Sequence, residues 1–141
     1  MTLNVAQFIG LNTDQEAAQV ISSAADGENS FLAVLDLTCD DAFTKGRQAL
    51  SELSDFYFDF SGSASEKLNA TFEEASKKLS TEGEFELVVG SVSGKVLYLI
   101  GKGDIEVYLK RRSNLSQLLS VGSSGQLISG FLQELDRLLF T

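Results

Sequence analysis

The chain contains no histidine and no proline, and its only cysteine is Cys39. Without histidine, Ser-His and Cys-His nucleophilic catalysis are excluded, and so are histidine metal sites. Without proline, no proline turn or cis-proline device is available. One cysteine allows no intrachain disulfide, which favours a reducing, cytoplasmic setting. No apolar run approaches the ~20 residues that a membrane span needs. The opening MTLNVAQFIG has no basic segment before its apolar residues, unlike a signal peptide. Neither the P-loop pattern nor the GxGxxG fingerprint occurs, so both phosphate-cradling glycine loops are missing.

Bases are scarce. Eleven Lys and Arg stand against twenty Asp and Glu, a net charge of −9. That balance argues against nucleic acid as a partner, and no membrane is expected either. Residues 1–60 hold ten acids and two bases, which places −8 in that half. Such a half could hold cations or face a basic partner; the plainer alternative is a solvated acidic face.

At 141 residues the length fits a single domain over 1–141, with enough apolar content for a core. The firmest stretch is FELVVGSVSGKVLYLIGKGDIEVYLKRR, Phe85 to Arg112. It predicts an antiparallel meander of three strands, with turns at Ser93-Gly94 and Gly103-Asp104. Val96 to Ile100 is nearly all apolar, as in a strand buried on both faces. Ile105, Val107 and Leu109 alternate with Glu106, Tyr108 and Lys110, the pattern of a half-buried strand.

Upstream, strands are predicted over Thr2–Gly10, Gln19–Ala24 and Ser30–Leu37, with Asp26-Gly27 as a hairpin turn. A helix follows, capped by Asp40 or Asp41, with Ala42, Phe43, Gly46, Ala49, Leu50 and Leu53 on one stripe. The aromatic, acidic segment Asp55–Phe60 is read as packing over the helix end or as a short edge. Ser63 and Glu66 form a capping box for a second helix running to about Leu79. Its inner face would carry Ala64, Leu68, Phe72 (or Thr71), Ala75 and Leu79. After the meander come a turn at Ser113-Asn114, a short strand over Leu115–Leu119 and a glycine loop over Val121–Gln126. Short strands over Leu127–Leu132 and Arg137–Phe140 finish the chain, with a turn over Gln133–Asp136. Strands, two helices, then strands make an α+β fold of layered antiparallel sheets flanked by two main helices.

From about Ser30 onward, several segments together resemble the metal-dependent Ser/Thr protein phosphatases of type 2C (PPM-type). SFLAVLD is similar to that family's strand running into its Asp-Gly metal motif. LYLIGKGDIEVYLKRRSNLSQL resembles its strand–Gly-Asp–strand segment, and ISGFLQELDRLLFT its late segment. The resemblance implies an α-β-β-α sandwich, here incomplete. It implies a chemistry of two Mn²⁺ or Mg²⁺ ions bridged by carboxylates, which activate water for attack on phosphoserine or phosphothreonine. It matches Asp36 to the bridging Asp and Asp104 to the Asp of the Gly-Asp motif, a ligand of a further metal.

The departures from the family bear on activity. Leu37, followed by Thr38-Cys39, stands where the family has Gly and a glycine-rich turn. No Arg precedes Arg47, although Asp14 and Glu16 offer acids. The family continues past the position of Thr141 into a second Asp-Gly, whose Asp is a core ligand; one carboxylate cannot hold two Mg²⁺ ions. The residues themselves leave plainer roles open. Asp36 could cap the next helix or be hydrogen-bonded in its loop. Asp104 beside Gly103 is ordinary turn chemistry, and Cys39 is a small, partly buried packing residue. Three readings follow. The first is a degenerate, non-catalytic phosphatase-like domain acting as a regulatory or protein-interaction module, with a protein partner and no cofactor. The second is an active Mn/Mg-dependent phosphatase that recruits atypical ligands from Asp14, Glu16, Asp40 or Asp41, or from a second chain. The third is an unrelated small α+β interaction domain.

Overall fold

The computed structural model describes residues 12–24 and 29–141, together with residues 4 and 6. The strand expected over Thr2–Gly10, save for 4 and 6, and the Asp26-Gly27 turn lie outside the described residues. The order of elements is β1 (Glu16–Ala24), β2 (Asn29–Thr38), α1 (Ala42–Asp59), α2 (Ala64–Ser80), β3 (Glu84–Ser93), β4 (Val96–Gly103), β5 (Val107–Arg111), β6 (Asn114–Leu119), β7 (Ser123–Phe131) and β8 (Arg137–Phe140).

Five strands form one antiparallel sheet in the order β1-β2-β3-β4-β7, and three form a second in the order β6-β5-β8. The period of two decides the layers. Phe31, Ala33, Leu35 and Leu37 on β2, with Leu87 and Val89 on β3, face the helices and pack on Leu50, Leu53, Tyr57, Leu68 and Leu79. The opposite face carries Val88, Val92, Leu97 and Leu99 against Val107 and Leu119 of the second sheet. The result is helices, five-stranded sheet and three-stranded sheet in layers. β4 is thus apolar on both faces because both are covered.

The expected three-strand meander breaks at its second turn. β3 and β4 pair as expected, but β5 leaves for the second sheet, and β7 takes its place beside β4. Alternation marks Val107 and Leu109 as inward-facing without saying towards which sheet. Gly103, at φ 99°, makes the departure possible: a Cβ there would press on the Glu86 side chain. β7 also extends back through the expected glycine loop, from Ser123, because β4 supplies a ladder for it. The Arg112–Ser113 turn falls one residue early, with Arg112 at φ 56°.

Both helices form where the apolar spacing places them, with three corrections in α1. Asp55–Phe60 neither packs over the helix end nor forms an edge; α1 runs through Asp59, and Tyr57 is buried in a stack on Phe31, 4.9 Å between centroids. Neither Asp40 nor Asp41 caps the helix through its side chain. Asp41 adopts a left-handed conformation (φ 54°) with no cap bond, and the Asp14 carbonyl accepts from the Ala42 N–H at 3.0 Å. Phe43 turns outward and is 52% exposed. Gly46 does sit on the stripe, where the Gln19 carboxamide leaves no room for a Cβ. Gln19 Nε2 donates to the Phe43 carbonyl at 3.0 Å, tying α1 to β1.

Of the two candidates for the inner face of α2, Thr71 is fully buried beside Leu68, Ala75 and Leu79, and Phe72 is half-buried. Thr71 Oγ1 donates to the Lys67 carbonyl at 2.7 Å, which satisfies the hydroxyl. Ser63 caps the helix as expected, with Glu66 N–H donating to Ser63 Oγ at 3.3 Å; the reciprocal half of the box differs, since Glu66 Oε1 accepts from the Ser63 hydroxyl at 2.9 Å. Ser63→Ala is expected to destabilise the domain by about 1 kcal/mol, read as a lower urea midpoint with an unchanged m-value.

Candidate functional site

The second sheet covers only part of the face it packs on. Along β2 that face reads Leu32, Val34, Asp36, Thr38; along β3, from the other end, it reads Val92, Gly90, Val88, Glu86, Glu84. It turns from apolar to acidic at the end the second sheet leaves open. Asp36 pairs in register with Ala18 on one side and Glu86 on the other, and Glu16 lies two residues along β1 on the same face. Glu16, Asp36 and Glu86, with Glu84 and Asp104, line an open concavity of about 500 Å³.

Asp36 is the perturbed group. Its carboxyl is pushed up to about 6, first by burial, then by the negative charges of Glu16 and Glu86 and by a hydrogen bond shared with Glu16. Its Oδ1 is buried without a hydrogen-bond partner. Between about pH 4 and pH 6 this carboxyl keeps a proton that an ordinary aspartate would have lost. Lys102 is the one base lining the concavity among the described residues, and it turns to the Phe85 ring, 4.0 Å from the centroid.

Asp104 lies on the same rim, so the fold brings the two acids singled out by sequence to one concavity. Its Oδ1 accepts from the Gly122 N–H at 3.0 Å and so fastens the lead into β7. Asp40 and Asp41 are exposed and do not line the concavity among the described residues. Glu86 was not singled out from sequence. Its signal was the period-two pair Glu84, Glu86 opening a strand that turns apolar from Leu87 on.

The oxygen donors are the type a hard cation takes. Their placement does not fit a two-cation centre: among the described residues, no three Asp, Glu or Cys side chains converge to hold a metal ion. The same described residues include no helix long and apolar enough to cross a membrane.

The sequence matches no family model and no curated protein. Solved structures do match. RsbX, determined in complex with magnesium, aligns over 87% of this chain with 10% identity and a TM-score of 0.67; this chain spans 64% of it, less than two thirds. The catalytic domain of the serine/threonine protein phosphatase PstP, determined with 2 manganese ions, aligns over 89% of this chain and 76% of its own, with 15% identity and a TM-score of 0.58. The PP2C phosphatase domain of SpoIIE from Bacillus subtilis aligns over 90% of this chain and 40% of its own, with 12% identity and a TM-score of 0.56. At such identities the likeness is one of fold: two helices and two antiparallel sheets arranged as in the PP2C phosphatases.

Proposed function

We propose that this PP2C-like fold works without catalysis, as a protein-interaction or regulatory module in the cytoplasm. The observation that carries the reading is Asp36. In the position where the resemblance expects a bridging metal ligand, it is not joined, among the described residues, by two further Asp, Glu or Cys side chains placed to hold a metal ion. Leu37, fully buried among the helix-facing core residues, occupies the place of the small residue that would let a loop approach a cation. Asp104 is committed to a turn. The single cysteine supports the cytoplasmic setting, and the −9 charge supports a protein partner over nucleic acid.

One observation favours the second reading, an active Mn/Mg-dependent phosphatase with atypical ligands: the orphaned Asp36 Oδ1. Calorimetric titration of Mn²⁺ and Mg²⁺, paired with hydrolysis of a generic aryl phosphate, separates the two. The expected result is no Mn²⁺-dependent hydrolysis and only weak binding, indifferent to Asp36→Asn. Micromolar multi-site binding and turnover, both lost in Asp36→Asn, would sink the non-catalytic reading.

A further inference from the structure

We propose that β7 is a self-pairing edge through which two copies of this chain form a homodimer, antiparallel about Ser129. β7 pairs with β4 on one side, and among the described residues no strand lies on its other side. Which groups it offers can be derived. The Leu132 N–H donates to the Lys95 carbonyl at 2.7 Å, towards β4. In an antiparallel ladder the direction alternates, so Ile128 and Gly130 also turn their main chain to β4. Leu127, Ser129 and Phe131 then turn theirs outward. Arg111 agrees, since its Nη2 reaches the Phe131 carbonyl at 3.0 Å from outside the sheet. That carbonyl keeps a second lone pair.

The faces are fixed in the same way. Leu127 packs with the helix-side core, while Ile128 and Leu132 pack with the core between the sheets. Between Ile128 and Leu132, Gly130 leaves that inner face bare. A Cβ there would meet nothing within 4 Å, and beside it lies an apolar pocket of about 60 Å³. Phe131 is 77% exposed at the end of the strand.

A second copy fills these gaps in one register. Pairing centred on Ser129 uses all three outward residues and sets Gly130 opposite the partner's Ile128. It also sets Phe131 opposite the partner's Leu127. The bare Gly130 and the exposed Phe131 each meet an apolar side chain on the same face. The two five-stranded sheets become one continuous sheet. The strand SSGQLISGF carries no charge, so the −9 of each copy does not meet at the seam.

The test uses Ser129, which faces the partner's Ser129 in this register only. Sedimentation equilibrium of the full chain from micromolar to near-millimolar concentration is expected to show the mass rising from 15.2 kDa towards twice that value. Ser129 is exposed, so Ser129→Lys and Ser129→Glu are compatible with the folded monomer. Each alone places like charges face to face and is expected to weaken association about tenfold or more. An equimolar mixture of the two is expected to restore it. A wild-type chain that stays monomeric throughout overturns the proposal and leaves the edge to a foreign strand. Dimers indifferent to both substitutions, or a mixture that does not recover, overturn it equally.

Discussion

Asp36→Asn is expected to raise the melting temperature near pH 7 and to leave it nearly unchanged near pH 4. The folded carboxyl is raised to about 6 from an ordinary value of 3.8, so the native state binds the proton more tightly than the unfolded chain does. Stability associated with this group is therefore present at low pH. It is lost as pH rises through the window from about 4 to about 6, and above 6 the full penalty of a charged Asp36 between Glu16 and Glu86 applies. Two pKa units correspond to about 3 kcal/mol at full weight; solvent reaches this partly exposed site and cuts the effect to the order of 1 kcal/mol. Asparagine removes the charge and can still donate to Glu16, so its gain near neutrality is about 3 °C. Paired melting curves of the two proteins from pH 4 to pH 8 check this. The wild-type midpoint falls relative to the variant between pH 4 and 6 and runs parallel to it above.

Phe31→Ala is expected to have the largest effect on stability, a loss of about 3–5 kcal/mol. Phe31 is fully buried at the start of β2, stacked on Tyr57 from the last turns of α1. Truncation removes the ring from a core made by two helices and a sheet, and none of these can close the gap without shifting strand register or helix position. Phe31→Leu retains most of the volume and is expected to lose well under half as much. Urea midpoints of the two variants, with unchanged m-values, measure the difference.

The sequence made local structure legible and left sheet partners open. The apolar runs of β3 and β4 and the period of two in β5 were visible from Phe85 to Arg112, as were the Ser63 cap and the stripe on α1. The destination of β5 was not, because Val107 and Leu109 are apolar towards whichever sheet they join. Serines and glycines in Val121–Gln126 spoke for a loop, yet β4 supplied a ladder and Ser123 to Gln126 became strand. The tail of α1 was obscured for a similar reason. Four aromatics within Asp55–Phe60 are poor helix signals alone, but Tyr57 gains more from burial against Phe31 than helix propensity costs. At the candidate site, Asp36 and Asp104 stood out through the resemblance to the type 2C phosphatases, with Asp36 also marked as an acid closing an apolar strand. Glu16 and Glu86 acquire their meaning from cross-strand register, which no linear spacing contains.

The pairing of β2 with β3 has a further consequence, in time. Thr38 meets Glu84 and Asn29 meets Ser93, so this ladder of ten pairs closes a loop containing both helices. The helices and the β3–β4 hairpin join residues close in sequence and can form within microseconds. The central seam of the sheet must wait for a long excursion of chain to return, and contacts of such separation slow folding. The lifetime of a nascent chain with β2 and β3 still apart is the interval in which their apolar edges stand open to other chains.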